Sequence, residues 1–452
     1  MDSIAHLSRV MKGHGATRLY AKRLRRNNNP KQQIYIGTDL SSLNIFPIKE
    51  IYTDASSIGN ASRDRLKANI DFFWITQEGK YKAPHTSLIL YPKYPEVRLS
   101  GFVRGCSDAP SLILNTLEEG RTLFFGITDN GQVLGYAAGS SDLVSQELNS
   151  TYSWESSGVL LHIPIDHTQS SNSKALLLRE LKEIYQKGWV KSQKLDNHGI
   201  AQPYAGRNAG GYTLESLFGI KPNGYGAPDY LGWELKQYGV RDFETYSPKS
   251  PVTLLTPEPD GGIYVDSGIQ DFIRKFGYED KKGTTDRLNF GGAYAIDKSF
   301  KGNTSCNPSF HPDTGVKLVV DGYDRETEKW VSSGMIALLS TSDEIAASWT
   351  FAKMLEHWNR KHRLACYVPS RKCDSSTLEF KYGSRILLGL GTDFTKFLKA
   401  LSTGLIKYDP GIKMEQASSS KPLIKRRSQF RIDHRSLSDL YHNHEYQEMK
   451  SL

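Results

Sequence analysis

Apolar residues in the first third of the chain fall in short runs separated by Gly, Pro, Asp and Asn. The runs "QQIYIGT", "DFFWIT", "TSLILYP", "EVRLSGFVRG", "RTLFFGIT" and "QVLGYAAG" are rich in β-branched and aromatic residues. Runs of this kind, punctuated in this way, predict strands. Their spacing predicts a mostly-β barrel or sandwich of about 150 residues. The period then changes. In "NSKALLLRELKEIYQKGWV", Leu177, Leu181 and Ile184 recur at helical spacing, which predicts a helix from about 173 to 187. A domain boundary near 170 follows, with residues 1–170 β-rich and residues 171–452 forming a second domain.

The second domain mixes periods. "TLESLFG" reads as a short helix, and "GWELKQYG", "VKLVVDGY", "SGMIALLS" and "LACYVP" read as strands. "TSDEIAASWTFAKMLEHWNRKH" reads as one long helix. Thr341 and Glu344 form a capping-box pattern at its start, and Ile345, Trp349, Ala352 and Leu355 form its buried stripe. "TDFTKFLKALSTG" is a further helix, with Phe394, Phe397, Leu398 and Leu401 on one face. The fold class is therefore α/β with a mixed sheet, preceded by a β domain.

Composition narrows the function. The chain has 452 residues and a net charge of +9. It holds no run of 18 apolar residues, and "MDSIAHLSRVMKGHG" lacks the apolar core of a signal peptide. A cytoplasmic protein with no membrane partner is expected. Four cysteines make no disulfide scaffold, and Cys366 and Cys373 have no partner pair that would suggest zinc. The positive charge is unevenly placed. From Ser3 to Thr38 there is no acid, but there are Arg9, Lys12, Arg18, Lys22, Arg23, Arg25, Arg26 and Lys31. "KPLIKRRSQFRIDHR" is a second basic segment. Such clusters either attract phosphates through counterion release or form solvated faces.

The candidate chemistry lies in "GAPDYLGWELKQYG", residues 226–239. Residues i and i+2 of a strand share a face, so Glu234 and Lys236 point the same way. Asp229 precedes them, and Gly232 permits a bend that brings its carboxylate beside Glu234. Converging carboxylates repel unless a cation lies between them, and hard oxygen donors favour Mg2+. A lysine beside such a metal suits phosphodiester hydrolysis. The alternative is a polar strand face with an ordinary ion pair. Trp233 and Leu235 make the other strand face apolar, which places the acids at the exposed edge of a core sheet. Glu215, on the short helix before this strand, is a third carboxylate able to reach the same metal, or else a surface glutamate.

"GGYTLESLFGIKPNGYGAPDYLGWELK" resembles the core of the MvaI/BcnI restriction endonucleases, which have a PD-(D/E)xK nuclease fold and are similar to the mismatch-repair nicking enzyme MutH. "FAKMLEHWNRKH", "ACYVP", "LGTDFTKFLKALSTGLIKYDPGIKMEQAS" and "KRRSQFRI" resemble further family segments in the same order, so the resemblance spans roughly residues 170–440. It implies a Mg2+-dependent type II endonuclease with Asp229, Glu234, Lys236 and Glu215 in the catalytic site, and Asp229 and Glu234 on the metal. It also implies a monomer acting on double-stranded DNA at a CC-N-GG-like site by sequential nicking. The setting would be the prokaryotic cytoplasm, alongside a cognate DNA methyltransferase. Base reading falls to the C-terminal part. Asp409 is placed to accept from cytosine, and Arg427 or Arg431 to bridge guanine or to hold phosphate. "AKRLRRNNNPKQQIYIG" resembles a DNA-facing strand of the EcoRII-type pseudobarrel effector domain, which implies DNA contacts from Arg23, Arg25 and Arg26; the alternative is a structural arm that clamps DNA behind the nuclease. The rival readings are a nicking or modification-dependent nuclease on the same fold and a catalytically silent DNA-binding regulator.

Overall fold

The computed structural model describes residues 1–26, 33–37, 40–57, 64–94, 96–151, 154–165, 173–222, 228–296, 310–374 and 377–451. Lys31 and parts of two quoted motifs, at 27–32 and 223–227, lie outside the described residues. The chain divides into two compact units, Met1–Asn172 and Ser173–Leu452.

The first unit, expected to be mostly β, opens with helix α1, Ile4–Gly13. Ser3 caps it, its hydroxyl accepting from the His6 N–H, and Ile4, Leu7, Ser8 and Met11 form the buried stripe. Arg9 and Lys12 of the acid-free stretch thus belong to a helix. The strands follow: β1 Ala16–Arg23, β2 Ile34–Gly37, β3 Ile48–Thr53, β4 Leu66–Ile75, β5 Lys80–Lys82, β6 Ser87–Tyr91, β7 Glu96–Ser100, β8 Thr122–Thr128 and β9 Gln132–Ala138. Helix α2, Leu143–Ser150, and strand β10, Leu160–Ile163, complete the frame.

Among the described residues, one eleven-stranded sheet runs from the short edge strand Ser156–Ser157 through β10, β1, β8, β9, β4, β6, β7 and β2 in that order, with β3 and β5 added on β4. Strand β4 is the pivot. Its first half pairs with β3 and β6, and its second half pairs with β5 and, in parallel, with β9. Nearly strict alternation of buried and partly exposed positions along β4 marks one core-facing side. Gly135 of β9 lets the Phe72 ring lie against its backbone, since a Cβ there would stand 2.3 Å from that ring. The sheet curls until Lys22 of β1 lies 5.8 Å from the ring centroid of Tyr35 on β2, a nearly closed barrel.

The second unit begins with α3, Ser173–Gln186, which buries Leu177, Leu181 and Ile184. Strand β11, Trp189–Lys191, helix α4, Ala209–Leu217, and strand β12, Glu234–Gly239, come next. Strands β13, Val316–Asp324, β14, Lys329–Ser340, and β15, Ile345–Thr350, form a separate antiparallel sheet. Helix α5, Phe351–His362, then leads to β16, Leu364–Asp374, β17, Leu378–Tyr382, and β18, Arg385–Leu390. Helix α6, Phe394–Ser402, and strand β19, Asn443–Glu448, complete the elements that frame the central sheet.

That sheet is mixed. It runs β11, β17, β16, β18, β19, and β12 joins β16 in parallel, with Glu234 opposite Ala365 and Lys236 opposite Tyr367. Trp233 and Leu235 enter the core shared by α3, α4, β16 and β17. The Tyr382 hydroxyl donates to the Gly210 carbonyl at 2.8 Å and ties α4 to the sheet.

One helix differs from the sequence reading. Residues 345–350 are a strand, paired with β14, and the helix starts only after Thr350. Ser348 exchanges backbone hydrogen bonds with Asp260 and Gly261, so a second ladder claims its backbone. Thr350 is the cap, its hydroxyl accepting from the Lys353 N–H. Glu344 lies in the turn that joins β14 to β15, where its N–H donates to the Ser340 hydroxyl. No capping box forms at Thr341. Trp349, Ala352 and Leu355 are buried as expected, but the stripe crosses a strand-to-helix junction. No helix among the described residues is long and apolar enough to cross a membrane.

Candidate active site

The quoted stretch folds as a tight hairpin. Tyr230 and Trp233 exchange both backbone hydrogen bonds, at 2.9 and 2.8 Å. The two residues between them take left-handed backbone, φ 46° at Leu231 and 88° at Gly232. Left-handed conformations at both central positions define the turn whose twist suits a hairpin. The turn sets Asp229 beside the start of β12, and Asp229 Oδ2 accepts from the Leu235 N–H at 2.8 Å.

Glu234 and Lys236 share a face of β12. Lys236 Nζ lies 2.8 Å from Glu234 Oε1. The Glu234 side chain is only 3% exposed, so this acid is buried and does not stand at an exposed sheet edge. Helix α5 also reaches it: Lys361 Nζ comes within 3.3 Å of the same Oε1. Lys361 was not among the residues singled out by sequence. It lies 127 residues from Glu234, and no local pattern marks it.

The electrostatics are unbalanced. Burial, then the charges of Asp229 and Glu234, raise the Glu215 carboxyl to about 7. Burial, then Glu234, raise Asp229 to about 6, against the opposing pull of the Leu235 N–H and of Lys361 and Lys236. Glu215 on α4 is therefore electrostatically joined to the other two. Glu234 Oε2 is buried and, among the described residues, has no hydrogen-bond partner. A buried carboxylate oxygen without a donor costs roughly 1–3 kcal/mol or more. The three acids thus present hard oxygen donors and an unmet demand for positive charge, which fits a divalent cation. Among the described residues they do not already stand as a ready-made cluster of three ligands.

The base-reading candidates lie elsewhere in this unit. Arg431, on the strand Phe430–Ile432, pairs through Nη1 with Asp409 Oδ2, while its Nη2 donates to the Pro251 carbonyl at 2.7 Å. These two candidates are each other's partners, and Arg431 Nε is buried without an acceptor. Arg427 is exposed, its guanidinium lying over Gly411. In the first unit, Arg25 and Arg26 are exposed. Arg23 is also exposed, but it is engaged: Nε donates to Asn149 Oδ1 at 3.0 Å and Nη2 to the Leu148 carbonyl at 3.2 Å, which ties β1 to α2.

Comparison with known proteins adds the family. Two of the solved structures that resemble the chain are of one enzyme. One is the MvaI restriction endonuclease in complex with its cognate DNA substrate, at 18% identity, TM-score 0.45, covering 62% of this chain and 99% of that one. The other is MvaI without DNA, at 16% identity, TM-score 0.33, covering 61% and 98%. No curated protein matches the chain. The sequence profile of the MvaI/BcnI restriction endonuclease family matches residues 178–441. That span holds α4, the Asp229 hairpin, β12 and Lys361 and is more than half of the protein, so the chain belongs to the MvaI/BcnI restriction endonuclease family, whose members are type II site-specific deoxyribonucleases.

Proposed function

We propose that this sequence-specific DNA endonuclease depends on Mg2+ bound by Asp229 and Glu234, with Glu215 as the third carboxylate of the site. The observation that carries this reading is the buried, donor-less Glu234 Oε2 beside two carboxyls with raised pKa. When bound, the cation supplies stabilisation of charge that develops on the scissile phosphate. Lys236 holds Glu234 Oε1 and stands where it can orient the attacking water and accept or return a proton at Nζ. The hairpin fixes Asp229 against the Leu235 N–H, so the donors need little reorganisation. Lys361 holds the same Glu234 oxygen from α5.

The target proposed is a short CC-N-GG-like site in double-stranded DNA, cut by a monomer one strand after the other. A cognate methyltransferase would protect the host's own DNA in the prokaryotic cytoplasm. Arg427, exposed and without an acid partner among the described residues, is the candidate for guanine or phosphate contact. The Asp409–Arg431 pair acts as one unit, offering the outer edges of both groups to a C·G pair. The first unit is proposed to add DNA contacts, with Arg25 and Arg26 available to phosphates and Arg23 holding their strand to α2. A sequenced supercoiled plasmid incubated with Mg2+ or with EDTA tests the reading. Defined fragments with one end sequence, formed only with Mg2+, are expected. Cleavage in EDTA, or no cleavage with Mg2+ on any plasmid carrying CC-N-GG sites, overturns it.

A further inference from the structure

The first unit carries a further polar cleft, whose lining includes Gln33 of the stretch 21–37 that also holds Arg23, Arg25 and Arg26. A cleft of about 260 Å3 lies on the face of β4, β6 and β7 turned away from the buried Leu66, Ala68, Leu88 and Leu99. Arg65, Lys67, His85, Ser87, Ser100 and Arg104 line it. Asp54 takes Arg65 Nε at 2.6 Å and Lys67 Nζ at 3.1 Å, so one carboxylate serves two cations. Arg104 adds a third positive charge. The side chains of His85, Ser87, Ser100 and Arg104 make no hydrogen bond with any described residue.

The backbone is shaped to hold these groups together. Gly101 has φ +75°, and a Cβ there would stand 2.0 Å from the His85 carbonyl oxygen. Only glycine lets the turn after β7 press on the turn before β6, which brings Arg104 and His85 to one rim. Trp74 Nε1 donates to the Phe102 carbonyl at 2.6 Å and pins that turn to β4.

We infer that this cleft binds a phosphate ester, with the Arg104 guanidinium, His85 and the hydroxyls of Ser87 and Ser100 as donors beside the Arg65–Asp54–Lys67 cluster. Its free groups include charged and neutral donors converging on one small space. A tetrahedral oxyanion satisfies several of them at once, and guanidinium suits it best. The cleft is smaller than the usual range for drug-sized ligands, roughly 300–1,000 Å3, but takes a phosphate with part of its sugar. A backbone phosphate of duplex DNA is the source this protein's substrate supplies. That source rests on the proposal that the first unit touches DNA, whereas the phosphate chemistry itself does not.

The test uses the full chain without divalent cations, so that no cleavage occurs. Binding of a labelled duplex is followed by anisotropy across a salt series, in wild type and in Arg104→Gln combined with His85→Asn. The variant is expected to lose roughly 3- to 10-fold in affinity, and the slope of log affinity against log salt should fall by about 1, as for one phosphate contact. Arg104→Lys with His85 intact should keep most of the slope. Inorganic phosphate is the second probe. If it raises the wild-type Tm but not that of the double variant, while the duplex slope is unchanged, the cleft serves a small phosphate ester. If neither probe distinguishes the folded double variant from wild type, the inference is overturned. A slope lost on Arg25→Gln with Arg26→Gln but kept in the double variant also removes this cleft from DNA contact, and leaves the wider reading of the first unit standing.

Discussion

Two buried carboxylate sites in this molecule are built from similar parts and reach opposite states. Asp54 in the first unit is ringed by Arg65, Lys67 and the Ser56 hydroxyl. Burial alone would raise its pKa, but those hydrogen bonds overcome burial and hold the carboxyl well below the usual carboxylate range. In the second unit, three carboxylates share two lysines, both of which stand on one oxygen of Glu234. There Glu215 and Asp229 titrate high, and among the described residues the other Glu234 oxygen has no donor. The first site is complete within the chain. The second is complete only with a cation from outside, and that deficit is what makes it a candidate for chemistry.

The sharpest way to break this contrast is to remove one acid from the incomplete site. Asp229→Ala should abolish cleavage by about 10³-fold or more, worth roughly 4 kcal/mol of transition-state stabilisation. Duplex affinity measured without cleavage should stay within a few-fold. Wild-type cleavage rates in the variant would move the metal site away from the hairpin.

The next effect is on stability against pH in metal-free protein. Glu215 and Asp229 have folded pKa values above their ordinary ones. Their contribution is therefore fully present below about pH 4 and is lost as pH rises through about 6 to 7. A loss of about 3 kcal/mol across that window is expected at roughly 1.4 kcal/mol per pKa unit, since the two acids are coupled and do not add fully. Mg2+ should restore it. Asp54 has the opposite sign: its stabilisation is present above about pH 4 and is lost only in stronger acid. Hydrogen exchange resolved by unit separates the two. If the second unit gains stability from pH 4 to 7 without metal, the charge deficit described here is absent.

Legibility in sequence follows the same division. Helix Ser173–Gln186 and strand Glu234–Gly239 are read from local period alone, because each packs one face on one core. The bend at Gly232 is read from glycine chemistry. The strand Ile345–Thr350 is not, because its apolar spacing continues without a break into α5, and only pairing with β14 and with Asp260–Gly261 decides it. Helix α1 hides behind its basic residues, although Ile4, Leu7 and Met11 carry the period. Lys361 and the Asp409–Arg431 pair arise from contacts across long sequence separation, which no single-segment pattern encodes.

Removing the acid from the complete site should be milder than removing Asp229 is for activity, and should be felt elsewhere. Asp54→Asn leaves Arg65 and Lys67 facing each other, with the Arg65 side chain 24% exposed. A loss of about 2 kcal/mol in the first unit is expected. A thermal scan with unit-resolved exchange checks it. An unchanged transition would mean that water replaces the carboxylate without cost, and the site would not be structural.

The smallest effect concerns backbone. The Asp229 hairpin carries Leu231 at φ 46°, exposed to 53%, so its side chain gains little burial in return for a conformation that L-residues other than Asn and Asp avoid. A left-handed leucine costs about 1 kcal/mol, and Asn before Gly is the preferred pair for this turn. Leu231→Asn should therefore stabilise the second unit by about 1 kcal/mol, raising its Tm by a few degrees. It keeps the Tyr230–Trp233 hydrogen bonds and hence the Asp229–Leu235 contact, so cleavage in Mg2+ should not change. The same kind of substitution has no counterpart at Asp54, whose backbone and immediate neighbours avoid the left-handed region. Strain would then be a second feature that separates the incomplete site from the complete one. A Leu231→Asn variant with unchanged or lowered Tm would mean that the turn is relaxed as it stands, and that only charge distinguishes the two.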